Sequence, residues 1–434
     1  MKIAHIIPGS GGSFYCGNCL RDSKYMKALQ DLGQEVIKVP LYLPLFEDAH
    51  DLNEVPVFYG AVDIYLKQRF PVFRHLPTFV DKMLNSKSIL HLAAQNAGST
   101  RAKGLEEMTV SMLLGEEGLQ RGELERLVEW LRDEAKPDVV HLSNALLLGL
   151  ARRIKQEMNI PVVCSLQDED VWVDVMSDQH REEVWQLMEE RGREVDAFVS
   201  VSDFYAREMK KRMHIRPDQL FINHIGVDSA DYPIKPVEGK EPVIGYISRM
   251  CEENGLGILV DAFIHLKENE AYQAVKLKIT GGKTNDDTSF IKQQKKKIAA
   301  AKLEDDVLWV EEFENPSRQN FFDTVALLTV PVLNGEAFGL YQLEALASGI
   351  PLVQPELGAF PEVVGLSEGG LIYHPNSAKK LAKAWKSIIL DKEKLSELST
   401  KGQEGVKAHF DIHKQAAKLV DIYQKVTAKE EYRY

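Results

Sequence analysis

The stretch Gly335-Glu336-Ala337-Phe338-Gly339-Leu340-Tyr341-Gln342-Leu343-Glu344-Ala345-Leu346-Ala347-Ser348-Gly349-Ile350-Pro351 restricts this chain more than any other. It reads as a loop, a helix and the start of a buried strand. Leu340, Leu343, Leu346 and Ala347 recur at helical spacing and predict one apolar face. Gly349 ends the helix, and Pro351 opens the strand Leu352-Val353. Glu336 falls in the loop and Glu344 on the helix. Ala337 and Gly339 are small enough for a ligand to reach the backbone, and the unused N–H groups of a helix start favour an anion. A phosphate flanked by two hydroxyl-binding carboxylates suits a nucleotide sugar.

The rest of the chain supplies a scaffold for such a loop. Residues 2–7 read as a buried strand and 8–13 as a glycine loop. A helix follows from about Cys19, with Tyr25, Ala28, Leu29 and Leu32 on one face and Gly33 as its cap; residues 36–41 form the next strand. Strand, glycine loop, helix and strand make a unit of a parallel α/β sheet. The loop lacks the spacing of a dinucleotide fingerprint, so NAD is not indicated. Strands are predicted at 137–142, 160–166 and 196–202, with a helix at 146–158. The proline-rich, charged run 233–242 reads as a linker. The pattern then restarts with a strand at 243–247, Arg249 and Asn254 in the turn, and a helix carrying Leu259, Ala262, Phe263 and Leu266. Further strands fall at 277–280, before Gly281-Gly282-Lys283, at 307–310 and at 327–332. The predicted organisation is α/β, with domains at 1–235 and 236–412 and a last helical segment at 413–434.

Composition excludes several classes. With 434 residues, 44% hydrophobic content and a net charge of -12, the chain fits a packed soluble protein without a general affinity for nucleic acid. No apolar run reaches the roughly 18 residues of a membrane span, and the N-terminus runs straight into a strand pattern rather than a signal peptide. Four cysteines in this length make no disulfide framework, so a cytoplasmic location is expected.

The order of residues in 335–351, a glutamate, seven residues and a second glutamate, with Phe-Gly after the first and Ala-x-Ala-x-Gly-x-Pro after the second, resembles the paired-glutamate motif of the retaining family-4 glycosyltransferases. The string His224-Ile225-Gly226-Val227-Asp228 resembles that family's Asn-Gly-Val-Asp turn, and Gly358, Pro361 and Glu362 resemble its segment after the motif. The resemblance implies a GT-B fold, two doubly wound Rossmann-like domains facing across a cleft. A nucleotide-diphosphate sugar would bind the second domain and a glycan, lipid or small-molecule acceptor the first. The last helix would cross back to the first domain. Glu336 would hold donor sugar hydroxyls and Glu344 the ribose. Arg249 would neutralise the diphosphate, with Gly12, Ala337, Phe338, Gly339 and Leu340 completing the donor site. Cationic side chains and the helix dipole would do the work of a metal, so neither metal nor cofactor is expected.

Two positions depart from the family pattern. Gln167-Asp168 stands where a His and a polar residue face the reacting sugar, which leaves either Asp168 or Asp170 as the polar partner or an acceptor held in a different way. Asn254 stands where a Lys meets the diphosphate. Lys283, in the turn after a neighbouring strand, is a candidate to supply the missing charge, because turns at the C-terminal edge of a parallel sheet converge on the ligand. A binding module that retains nucleotide but has lost transfer is the alternative, and a sugar-nucleotide epimerase of similar fold ranks below it.

Two features remain open on sequence alone. Cys16 and Cys19 are either ordinary thiols at a helix start or a redox-sensitive pair. Residues 60–104 carry seven Lys and Arg side chains against Asp63 and Asp81, interleaved with Tyr65, Phe70, Phe73 and Phe79. They read either as an acceptor-facing or lipid-facing lip including Arg69 and Arg74, with peripheral membrane contact, or as helices with basic solvated faces.

Overall fold

The computed structural model describes residues 1–8, 17–41, 105–310 and 317–431. Gly11, Gly12, Cys16, the side chain of Cys19, and the whole 60–104 segment with Arg69 and Arg74 lie outside the described residues.

The chain forms two compact units, one from Met1–His224 with Ala416–Tyr434 and the other from Ile225–Gln415. The first holds a sheet of β1 (Lys2–Ile7), β2 (Glu35–Pro40), β3 (Val139–Leu142), β4 (Val162–Leu166), β5 (Ala197–Ser200) and β6 (Leu220–Ile222), in the order β2-β1-β3-β4-β5-β6. Every pairing is parallel. Ile3, Ala4, Ile6 and Ile7 in β1, and all of β3, β4 and β5, are buried, as helices on both faces of a parallel sheet require. The last helix, Ile412–Glu431, contributes buried Tyr423 to this unit, where its hydroxyl lies 2.5 Å from Nδ1 of His141 in β3.

The second unit holds β7 (Val243–Ile247), β8 (Lys276–Thr280), β9 (Val307–Val310), β10 (Leu327–Leu328), β11 (Leu352–Pro355) and β12 (Gly370–Tyr373), in the order β12-β11-β10-β7-β8-β9. These are again parallel throughout. Its core packs Ile244, Tyr246, Leu277, Ile279 and Val353 of the sheet against Phe263, Phe360 and Trp385 of the covering helices. The indole N–H of Trp385 donates to Thr329 at 2.9 Å, so its burial leaves no orphan donor. Strand order reverses between β10 and β7, which makes the carboxyl ends of these two strands the switch point where ligands of such sheets bind.

Several elements differ from the sequence expectation. The helix expected at 146–158 splits into a 3-10 segment, Ala145–Leu150, and an α-helix, Ala151–Met158. Gly149 lies so close to the backbone at Met112 that a Cβ there would stand 2.0 Å from its carbonyl oxygen, and the tighter winding accommodates this contact. The strand expected at 196–202 stops at Ser200, because Ser202 caps the helix Asp203–Met213 by accepting from the Tyr205 N–H. The run 233–242 is mostly exposed but is tied down at two points. Val237 is buried in the second unit's core, and Lys240 donates to the Phe322 carbonyl.

Candidate donor site at the second sheet and a carboxylate clasp at the first

The turn after β7 carries Ser248 and Arg249. Ser248 N–H donates to the Thr280 carbonyl at the end of β8, and Met250 N–H donates to the Gly282 carbonyl at 2.8 Å. The turns following β7 and β8 are therefore bonded to each other, which puts Arg249 and Lys283 side by side along the sheet edge. Gly281 makes this possible: at φ 142°, any Cβ would stand 1.7 Å from the Ser248 carbonyl oxygen. Lys283 is exposed.

Arg249 does not project freely. Its Nε donates to Asp287 Oδ2 at 3.0 Å and its Nη2 to Asp287 Oδ1 at 2.9 Å, with Thr284 Oγ1 also within 3.2 Å of Nη2. Burial alone would lower the guanidinium pKa, and the Asp287 carboxylate more than offsets it. Burial would likewise raise Asp287, but Arg249 and the Thr284 donors hold its carboxyl below the ordinary range. Asn254 stays within the turn, its side-chain amide donating to Ser248 Oγ at 2.8 Å.

The paired-glutamate loop follows β10. Gly339 has φ 84° and begins the helix Leu340–Ala347, and a Cβ on it would stand 2.6 Å from Glu336 Oε2. The Glu336 carboxylate therefore lies against the helix start, where an acidic group is favoured, and the left-handed backbone at Gly339 favours glycine there. Ala337 and Phe338 are buried, Phe338 packing edge-on to Phe410 with ring centroids 5.9 Å apart. The helix is not amphipathic as expected. Gln342 through Ala347 are all buried, while Leu340 at the N-terminus is only half-buried. Glu344 points into the unit, where it pairs with Arg318 and accepts from the Tyr232 hydroxyl at 3.3 Å. Sequence reasoning missed Asp287, Arg318 and Tyr232.

At the first unit's sheet edge, Gln167 turns inward and is buried, its side-chain amide donating to the Ser143 carbonyl. Asp168, half-buried with φ 60°, starts the short helix Glu169–Val173. The buried acid is Glu169. Its Oε1 accepts from Ala145 N–H at 2.9 Å, and its Oε2 from Gln167 N–H at 2.7 Å and from the Tyr205 hydroxyl at 2.8 Å. Burial raises its carboxyl to about 7, although these donors pull the other way. Asp168, Glu169 and Asp170 form an acidic run, yet among the described residues no three potential metal ligands gather. Cys164 in β4 and Cys251 after β7 are both buried, and burial pushes the Cys251 thiol to about 12.

Two family models match adjoining parts of the chain. The model described as glycosyltransferase family 4 matches residues 107–231, and that described as glycosyl transferases group 1 matches residues 229–405, which includes Arg249, Lys283, Glu336 and Glu344. The chain belongs to this glycosyltransferase family. The lipopolysaccharide core biosynthesis mannosyltransferase LpsB of Rhizobium meliloti is 26% identical over 243 residues, 54% of this chain; the chain spans 66% of that relative's length. Sucrose-phosphate synthase from Thermosynechococcus elongatus superimposes with a TM-score of 0.71 at 18% identity, over 99% of each chain. Anabaena HepE in complex with UDP superimposes with a TM-score of 0.68 at 15% identity, over 98% of this chain and 100% of that one. These structures share the two-unit α/β fold, and the fold class is GT-B. Among the described residues no helix is long and apolar enough to cross a membrane.

Proposed function

We propose that the chain transfers a sugar from a nucleotide-diphosphate sugar to an acceptor, with retention at the anomeric carbon and without a metal. The observation that carries this reading is one of placement. Arg249 after β7, Lys283 after β8 and the Glu336–Gly339 loop after β10 all lie at the carboxyl edge of the β10/β7/β8 region, in the part matched by the group 1 family model. The chemistry requires stabilisation of a departing diphosphate and of positive charge growing on the sugar ring. Arg249, Lys283 and the N–H groups that open the helix at Leu340 suit the first task. The Glu336 carboxylate suits the second and can also hold sugar hydroxyls. Ala337, Phe338 and Gly339 shape the loop. Glu344 anchors the helix through Arg318, and its remaining lone pairs are assigned to the ribose. On the first unit, Asp168, Arg69, Arg74 and Gly12 are assigned to the acceptor or to the donor phosphate side, with the buried Gln167 supporting the loop through the Ser143 carbonyl. HepE was crystallised with UDP, which makes UDP the first nucleotide to try.

The test is a thermal-shift panel of UDP, ADP, GDP and their sugars, followed by hydrolysis and transfer assays on the best binder. A single base class should stabilise the fold, and NMR of the product should show the donor's anomeric configuration preserved. Absence of stabilisation by every nucleotide would overturn the reading. The second reading, a nucleotide-binding module without transfer, draws on Asn254. Its amide is spent on Ser248 rather than offered as a charge. A nucleotide sugar that stabilises the chain but never turns over would favour it.

A further inference from the structure

We infer that Asp287 is a positioning residue for diphosphate recognition: it grips the Arg249 guanidinium by one edge and presents the other to the ligand. This rests on the reading that Arg249 meets the donor diphosphate. The guanidinium is a planar fork with five N–H donors. Asp287 takes the Nε–Nη2 edge through both its oxygens. Among the described residues no hydrogen bond uses Nη1, so that group is the one left to a phosphate oxygen. Asp287 is itself fixed. It is 4% exposed, and its Oδ2 accepts from both the Thr284 N–H and the Thr284 hydroxyl at 2.8 Å. Thr284 follows the Gly281-Gly282-Lys283 turn and Asp287 precedes the helix Thr288–Ala300. One capping motif thus links the turn after β8 to the cation after β7.

The arrangement resolves a conflict of charge. A carboxylate beside a phosphate-binding arginine repels the phosphate. Here the carboxylate is buried on the far edge of the guanidinium, and its charge is spread over the Thr284 donors. What it contributes is a fixed direction for a long side chain that would otherwise lose rotamer freedom when the ligand binds. A phosphate meeting an oriented guanidinium gains a charge-assisted bond with no further ordering.

Asp287→Asn isolates the effect, because the amide oxygen still caps the turn but can no longer hold both Nε and Nη2. Affinities for UDP and for uridine are measured by calorimetry on the full chain, with ADP and GDP and their nucleosides used if the panel favours those bases. Arg249→Ala and the double variant complete the cycle. Asp287→Asn should weaken UDP about fivefold and leave uridine unchanged. In the Arg249→Ala background it should add nothing, since its effect passes through the guanidinium. Methylguanidinium should restore UDP binding to Arg249→Ala saturably while Asp287 is present, and this measurement does not depend on how the Asn variant folds. If Arg249→Ala leaves UDP affinity unchanged, the reading of Arg249 fails and this inference falls with it. If Arg249→Ala weakens UDP but Asp287→Asn is neutral, tighter-binding or additive, or methylguanidinium rescues nothing, the inference alone is overturned.

Discussion

At the carboxyl edge of the first sheet, one buried carboxylate, Glu169, collects neutral donors from the loops after β3 and β4 and from Tyr205 in the helix after β5. At the same edge of the second sheet, guanidinium groups meet carboxylates: Arg249 with Asp287 and Arg318 with Glu344. Both edges belong to parallel sheets of six strands, so topology does not explain the difference. The residues after β3 and β4 run Ser143-Asn144 and Gln167-Asp168-Glu169-Asp170 and include no cation. Ser143, Gln167 and Glu169 are buried, and the half-buried Asn144, Asp168 and Asp170 give these two loops no counter-charge for an anion. The second edge carries Arg249 and Lys283 and suits an anion. The two ion pairs within it also differ. Arg318–Glu344 is enclosed, both side chains being under 10% exposed, whereas Arg249 keeps 29% of its side chain in solvent. The first pair chiefly anchors a helix, and the second leaves its guanidinium open to solvent.

The sharpest way to break this distinction is Arg318→Leu. It would leave the Glu344 carboxyl buried and without its guanidinium, and removing one member of a buried pair costs about 3–5 kcal/mol. Denaturant unfolding should show a loss of that size, whereas Arg249→Ala should cost less, because the Asp287 it leaves behind keeps both Thr284 donors. Equal losses in the two variants would mean that both pairs are structural.

The next test concerns the first edge. Glu169 has an ordinary carboxyl value of 4.5 and is raised to about 7 in the fold. The folded state therefore keeps its proton at pH values where the unfolded chain has lost it. Its contribution is most favourable below about pH 4.5 and falls as pH rises through about 7, a span of roughly 3 kcal/mol. Glu169→Gln should remove that slope, so that the difference from wild type grows in the variant's favour between about pH 5 and 8. Parallel stability curves for the two proteins would show that Glu169 ionises normally.

How much of this contrast is visible in the sequence depends on the range of each contact. The Glu336–Pro351 string is local, so its loop, helix and strand are legible, and so is the turn after β7 that holds Arg249. The partners are not local. Arg318 stands 26 residues before Glu344 and Asp287 stands 38 after Arg249, and no periodicity links such positions. Asp287 did leave a trace, since Thr284-x-x-Asp287 has the spacing of a capping box. Nothing in the run Asp168-Glu169-Asp170 says that the middle acid is the buried one. That choice is made by Ala145 and Tyr205, which are brought together by tertiary packing. The helix Leu340–Ala347 reads as one-sided because Gln342 and Glu344 look solvated, and it is the burial of their partners that takes them inside.

Glu336→Gln should cut transfer at least a hundredfold, about 2.7 kcal/mol of transition-state stabilisation, with little change in stability. The carboxylate sits in a loop beside Gly339 and contributes little packing. Near-normal turnover would break the assignment of the second edge as the donor site, while leaving the contrast in ion pairing intact.

The smallest expected effect belongs to Lys283, and it asks whether the second edge carries one ligand-facing cation or two. The Met250 N–H bond to Gly282 O, at 2.8 Å, holds the turn before Lys283 against the turn that bears Arg249. Arg249 has spent part of its charge on Asp287, and Asn254 supplies none. Lys283, exposed and on a flexible stem, can act as a point charge on phosphate without a fixed geometry. Lys283→Ala should therefore weaken nucleoside-diphosphate binding by about tenfold, the loss of one charge-assisted bond, and should leave the nucleoside unaffected. Asn254→Lys should restore part of that loss in the same background, because it puts a cation in the turn next to Arg249. The affinity of the single variant should also fall less steeply with salt than that of wild type, since one screened charge has been removed. Unchanged diphosphate affinity in Lys283→Ala would leave Arg249 and the helix start at Leu340 as the phosphate ligands. It would strengthen the case for a module that binds nucleotide without transferring sugar.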